Sequence, residues 1–200
     1  MLKIDRLPSD LLSYGTQNFD KMFSLRPEKS GSVLVYNRDS RTHEEKQIYR
    51  HYMSYLESPA FDSQVEKSYM FSNFDDEFRS KDMPELFEPF LDFAKSIDSR
   101  YNQITVNWYD KEHYIEMHRD CTAKFVEETS PILTINLNET DILLRSRSFI
   151  LENIETREAQ SYLLRHGTCL TMLGECQKTH RHGVGPGAEK RISITFRMIK

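Results

Sequence analysis

Apolar and polar positions alternate with a period of two through the second half of the chain. In "QITVNWY" (103–109), Ile104, Val106 and Trp108 fall on one face of an extended chain, and Thr105, Asn107 and Tyr109 on the other. "RISITFR" (191–197) repeats the pattern, with Ile192, Ile194 and Phe196 opposing Arg191, Ser193, Thr195 and Arg197. Between them "HYIEMHRD", "SPILTINL", "DILLRSRSFIL", "AQSYLLRHG" and "TCLTML" read as further short strands. Turn signals at Asn138-Glu139, at Gly167 and in "GVGPG" (183–187) separate several of them.

Upstream the period changes. "LPSDLLSYGTQNFDKMFSL" carries a helical stripe of Leu11, Leu12, Phe19, Met22 and Phe23, with Ser9 as N-cap. "GSVLVYN" (31–37) reads as a strand, and "RTHEEKQIYRHYMSYLES" (41–58) as a helix capped by Thr42 with Glu45 three residues on. "KSYMFSN" is a short aromatic strand or loop. "MPELFEPFLDFAKSIDSRY" gives the clearest helix, with Pro84 in its first turn and a stripe of Leu86, Phe90, Phe93, Ala94 and Ile97. An α-rich start followed by many short strands predicts an α+β chain: a β-barrel or jelly roll with packing helices from its N-terminal part. Few helices separate the late strands, which disfavours a parallel α/β sheet. Residues 1–80 are expected to form a helical, substrate-covering region packed on a core of 81–200, the whole being one structural domain.

Composition narrows the class. With 38% hydrophobic and 29% charged residues, the 200-residue chain has the balance of a water-soluble globular protein with a core of its own. No apolar run approaches a membrane span, and "MLKIDRLPSD" is no signal peptide, so a cytoplasmic or nuclear monomer is expected. Cys121, Cys169 and Cys176 are odd in number and form no CxxC pair, which fits reduced thiols. A formal net charge of −4 disfavours binding nucleic acid through a broad basic surface but leaves room for a local basic patch.

The candidate chemistry starts at "HRD", which places His118 and Asp120 two residues apart. A later histidine (His166, His180 or His182) would complete two imidazoles and one carboxylate. That set holds one face of iron(II) and leaves positions open for a bidentate cosubstrate and dioxygen. Such chemistry needs a two-electron reductant, which 2-oxoglutarate supplies on decarboxylation. A dicarboxylate calls for arginine forks. Arg191 and Arg197 share a strand face with the hydroxyls of Ser193 and Thr195 between them. Their α-carbons lie roughly 20 Å apart along a strand, which is longer than the ligand. Both side chains must then lean inward, or one of them serves the metal side.

Taken together, "YNQITVNWYDKEHYIEMHRD", "SPILTINL", "HGTCLTMLGECQKTHRHGV" and "RISITFR" resemble the AlkB family of iron(II)/2-oxoglutarate dioxygenases. These elements run in family order and cover about half the chain, from about residue 101 to 197. The resemblance implies a double-stranded β-helix core with His118, Asp120 and His182 as iron ligands, and 2-oxoglutarate and dioxygen as cosubstrates. It implies that Arg191 takes the distal carboxylate of 2-oxoglutarate with help from Tyr109, and that Arg197 and Asn107 sit near the keto-acid end. The implied reaction oxidises a substrate C–H bond, and the first substrate class is an alkylated nucleobase in DNA or RNA. A protein side chain or small molecule is the alternative, and a non-catalytic binding module a weaker one. Tyr69 and Phe71 are candidates to stack on an extruded base. The chain departs from the family pattern at Cys121 and Thr122, where acidic residues often follow the aspartate, at Ser193, where asparagine is usual, and in "NETDILLRSRSF". These departures fall on the substrate side, where Cys121 is a further candidate contact.

Overall fold

The computed structural model describes residues 2–37, 41–56, 79–80, 82–120 and 125–200. Tyr69, Phe71 and Cys121 lie outside the described residues, as does "KSYMFSN". The N-terminal part runs β1 (Leu2–Arg6), α1 (Ser9–Gln17), α2 (Phe19–Ser24), β2 (Ser32–Asn37), β3 (Thr42–Gln47), β4 (His51–Leu56) and β5 (Arg79–Ser80). A 3-10 turn, Glu85–Phe87, leads into α3 (Glu88–Ile97). Strands then dominate: β6 (Gln103–Tyr109), β7 (Ile115–His118), β8 (Ile132–Asn138), β9 (Arg147–Asn153), β10 (Ala159–Leu164) and β11 (Thr168–Met172). The short helix α4 (Cys176–Thr179) precedes β12 (His180–Val184) and β13 (Arg191–Arg197).

The two alternating segments become adjacent antiparallel strands, with Arg191 opposite Tyr109 and Arg197 opposite Gln103. They sit within a seven-stranded sheet of order β1-β11-β8-β13-β6-β4-β5, which a four-stranded sheet of order β10-β9-β12-β7 accompanies. Two mostly antiparallel sheets in this arrangement form a jelly roll, as the strand-rich second half predicts.

Alternation puts two kinds of surface on the large sheet. One face carries Ile104, Val106, Trp108, Ile192, Ile194 and Phe196, which pack with Leu11, Met22, Phe23, Phe87, Phe90 and Ala94 of the helices into the main core. Burying side chains of this size contributes roughly 1.5–3 kcal/mol each, and Trp108 also donates its indole N–H to the Met22 carbonyl at 2.8 Å. The other face carries Thr105, Asn107, Tyr109, Ser193, Thr195 and both arginines, all buried. A second cluster, including Ile132, Phe149, Leu151, Leu170, Met172 and Val184, draws on both sheets and closes the space around this polar face.

Three expectations need correction. The segment read as a helix over 41–58 forms β3 and β4. Ile48, Tyr52 and Tyr55 are buried at helix-like spacing, but β4 is hydrogen-bonded to β6 and covered on both faces, so a strand buries Tyr52 and Tyr55 equally well, and Ile48 is buried in the connection before it. The helix stripe through Ile97 stops short: Ile97 is exposed, while Phe87 and Leu91 are buried in its place. Pro8 rather than Ser9 stands at the N-cap of α1, without a side-chain cap bond. Among the described residues no helix is long and apolar enough to cross a membrane.

Candidate active site

β7 and β12 pair antiparallel with His118 directly opposite His182. The next residue, Gly183, makes the close approach possible: a Cβ there would lie 2.9 Å from the Ile115 carbonyl oxygen and 2.9 Å from Met117 Sδ. The imidazole centroids of His118 and His182 are 4.3 Å apart. His118 donates from Nδ1 to the Glu116 carbonyl at 2.8 Å, which leaves Nε2 as its free nitrogen. His182 stacks on Phe149 with centroids 5.5 Å apart.

Asp120 follows β7, and its N–H donates to Gln177 Oε1 at 3.1 Å. Its Oδ1 accepts from Arg197 Nη2 at 2.7 Å. Its Oδ2 is buried without a hydrogen-bond partner and lies 3.6 Å from His182 Nε2. Donor atoms of His118, Asp120 and His182 all lie within 4.8 Å of one another. A buried carboxylate oxygen left open beside two imidazoles is costly unless a cation meets it, so this donor set fits a divalent metal. The protonation states agree. Burial alone would raise the Asp120 carboxyl, but the Arg197 guanidinium and the two imidazoles outweigh it and hold it down at about 2. Burial, reinforced by His118, pushes His182 down to about 3, and burial also lowers His118. An ionised carboxylate and neutral imidazoles are what a metal needs.

The far end of the same cavity is cationic. Arg191 is 2% exposed, and its guanidinium lies 4.6 Å from the centre of the Tyr109 ring. Its Nε donates to Asn136 Oδ1, while its Nη1 is buried without a partner. Burial lowers its pKa, with Tyr109 opposing. Among the described residues no carboxylate forms an ion pair with it. A buried guanidinium with an unused donor calls for an anion. Arg197 reaches the other way: besides Asp120 it bonds Thr105 Oγ1 from Nη1 at 3.1 Å. Both arginines line one cavity, with Arg197 at the end that holds His118, Asp120 and His182.

Asn107, Tyr109 and Ser193 line that cavity. Arg50, Asn136 and Phe149 line it too and were not foreseen. Asn136 shares a face with Thr134 and Asn138, so the alternation in "SPILTINL" could have revealed it. Arg50, whose Nε donates to Asn107 Oδ1 at 2.8 Å, was hidden inside the segment misread as a helix. His180 lies outside the donor cluster and bonds Thr179 Oγ1 through Nδ1 at 2.8 Å. His166 is structural: Nδ1 accepts from the Asn138 N–H at 3.0 Å and Nε2 meets Thr16 Oγ1 at 2.9 Å.

The family model described as the 2OG-Fe(II) oxygenase superfamily matches residues 29–197. Among curated proteins, the RNA-directed RNA polymerase of Lolium latent virus is 30% identical over 138 residues, covering 69% of this chain and 7% of that protein. The RNA replication polyprotein of Apple stem pitting virus is 28% identical over 141 residues, 70% of this chain and 6% of that protein. The chain thus spans less than about a tenth of the length of these relatives. Among solved structures, OsALKBH1 superposes with a TM-score of 0.57 at 15% identity, covering 98% of this chain and 97% of that one. A Pseudomonas putida prolyl-4-hydroxylase gives 0.58 at 11% identity, covering 100% and 92%. Both share the fold. A match over most of the chain, to a family whose members use iron(II), 2-oxoglutarate and dioxygen, identifies this protein as a dioxygenase belonging to the 2OG-Fe(II) oxygenase superfamily.

Proposed function

We propose that the chain oxidatively removes methyl or other alkyl groups from nucleobases, with RNA as its first substrate. The observation that carries this reading is the company of its sequence relatives: stretches about 30% identical lie in proteins named for copying RNA. The AlkB-like arrangement of "HRD", "HRHGV" and "RISITFR" supports the same chemistry.

In this reading His118, Asp120 and His182 hold the iron. Bound iron supplies the oxidising power for C–H hydroxylation by coupling dioxygen to decarboxylation of 2-oxoglutarate. Arg197 fixes Oδ1 of Asp120 with a charge-assisted bond, so that Oδ2 is turned toward the two imidazoles. Arg191 binds the distal carboxylate with its open Nη1, and Tyr109 and Asn136 keep its fork in place. Asn107, held by Arg50, and Ser193 line the path between the two ends. Hydroxylation of an N-methyl carbon gives a hemiaminal, which releases formaldehyde and the unmodified base. A base in a duplex must be extruded to reach such a buried centre. Hydroxylation of a protein side chain is the second reading. It draws on the fold shared with a prolyl-4-hydroxylase and on the net charge of −4.

Succinate release should rise when an N-methylated RNA oligonucleotide is added, in step with formaldehyde. Stimulation by a peptide and by none of the methylated oligonucleotides would favour the second reading.

A further inference from the structure

A second set of two imidazoles and one carboxylate sits apart from the cavity just described. His51 is the first residue of β4, Asp110 directly follows β6, and His113 lies in the turn leading to β7. Donor atoms of these three residues also lie within 4.8 Å of one another. From this cluster the geometry points to a second metal site, one for a divalent first-row cation of the zinc class.

The turn is built to bring the three together. Glu112 has a φ of 64°, a left-handed conformation uncommon for a residue with a side chain. Its N–H bonds the Gly187 carbonyl at 3.0 Å, and the His113 N–H bonds the Asp110 carbonyl at 3.2 Å. His113 Nδ1 accepts the Asp110 N–H at 3.2 Å, which puts the ring proton on Nε2; a cation bound at Nε2 moves that proton to Nδ1 and displaces this long bond. His51 Nε2 lies 3.9 Å from Asp110 Oδ2, and His51 Nδ1 is buried without a hydrogen-bond partner. The two rings are 5.8 Å apart between centroids.

Donor type selects the cation. Imidazole and carboxylate suit zinc and its neighbours, not calcium or magnesium, which take all-oxygen shells. Three protein donors, on side chains that remain partly exposed, leave a further position for water. The competing cation is Arg26, whose Nε is 3.9 Å from Asp110 Oδ2. Both of those side chains are 37% exposed, so this long ion pair is weak and easily displaced. Arg147 bonds only the Asp110 carbonyl and leaves the carboxylate available. A bound cation would tie the β6–β7 turn to the start of β4, just ahead of the strand that carries His118.

The test uses the full chain, stripped of metal, with zinc(II) as the probe and bound metal measured after dialysis. The wild type should retain two equivalents. The double variant His118→Ala/His182→Ala should retain one and melt at a higher temperature with zinc than without it. Adding His113→Gln, or separately His51→Gln, should weaken that remaining equivalent by more than about tenfold and abolish the thermal shift. Circular dichroism should show each variant folded. Either variant folding suffices, because both remove a donor from the same site. A double variant that retains no zinc, or one whose zinc is held as tightly after the glutamine substitutions, would overturn the second site.

Discussion

The substitution Arg191→Lys separates a built anion site from a polar strand face more sharply than any other. Arg191 is fully buried, and its fork has one committed donor, Nε on Asn136, and one open donor, Nη1. Lysine keeps the charge but replaces a planar fork with a point donor on a differently shaped stem. It cannot satisfy Asn136 and a carboxylate oxygen from the same direction, so about one charge-assisted bond to 2-oxoglutarate is lost. Such a bond is worth roughly 1.5–3 kcal/mol, or about ten- to a hundredfold in affinity. The distal carboxylate takes no part in bond making, so the loss should appear mainly in KM for 2-oxoglutarate, with kcat little changed. The assay is succinate formation against 2-oxoglutarate at saturating iron and substrate, with thermal melting to show that the variant is folded. An unchanged KM in a folded Arg191→Lys protein would refute the anion-binding role of this strand face.

Other outcomes follow from the same geometry. His118→Ala, Asp120→Ala and His182→Ala should each abolish turnover and iron binding while the fold persists, whereas His180→Ala should keep full activity; kinetics and bound-iron analysis read both. Arg197→Lys should lower kcat and raise KM together, since Arg197 holds Asp120 directly, and steady-state kinetics in 2-oxoglutarate separates it from Arg191→Lys. Burial depresses the pKa of His166 below its ordinary value near 6.5, so the unfolded chain takes up a proton there before the folded chain does. Stability should therefore be lost as pH falls below about 6.5, and urea midpoints at two pH values should show a shallower loss in His166→Gln; an identical loss would clear His166 of any part in it.

The sequence was most legible where one physical rule decides the outcome. Residues 103–109 and 191–197 have a buried apolar face and a buried polar face, so their period of two is unbroken and their ends match the strands formed. His118 and Asp120 were readable because their spacing is local. His182 was harder, since "HRHGV" has no strand-like pattern of its own. It becomes β12 because β9 and β7 flank it and Gly183 permits the approach. β1 was missed for another reason: it is an edge strand whose residues, apart from Leu2, are exposed, and the alternation in "LKIDR" rests on only two apolar positions, Leu2 and Ile4. "THEEKQ" is rich in good helix formers, yet it pairs with β2, and tertiary pairing overrides that propensity. Arg50 immediately precedes β4, whose pairing with β6 sets it beside Asn107, so no local signal announced it.

The most direct measurement is by mass spectrometry, on RNA oligonucleotides carrying single N-methylated bases, after incubation with the protein, iron(II), 2-oxoglutarate and dioxygen. Loss of one methyl group, matched mole for mole by succinate and formaldehyde and absent in Asp120→Ala, is the expected result. Oligonucleotides that emerge unchanged, while a peptide gains an oxygen atom under the same conditions, would contradict nucleobase demethylation.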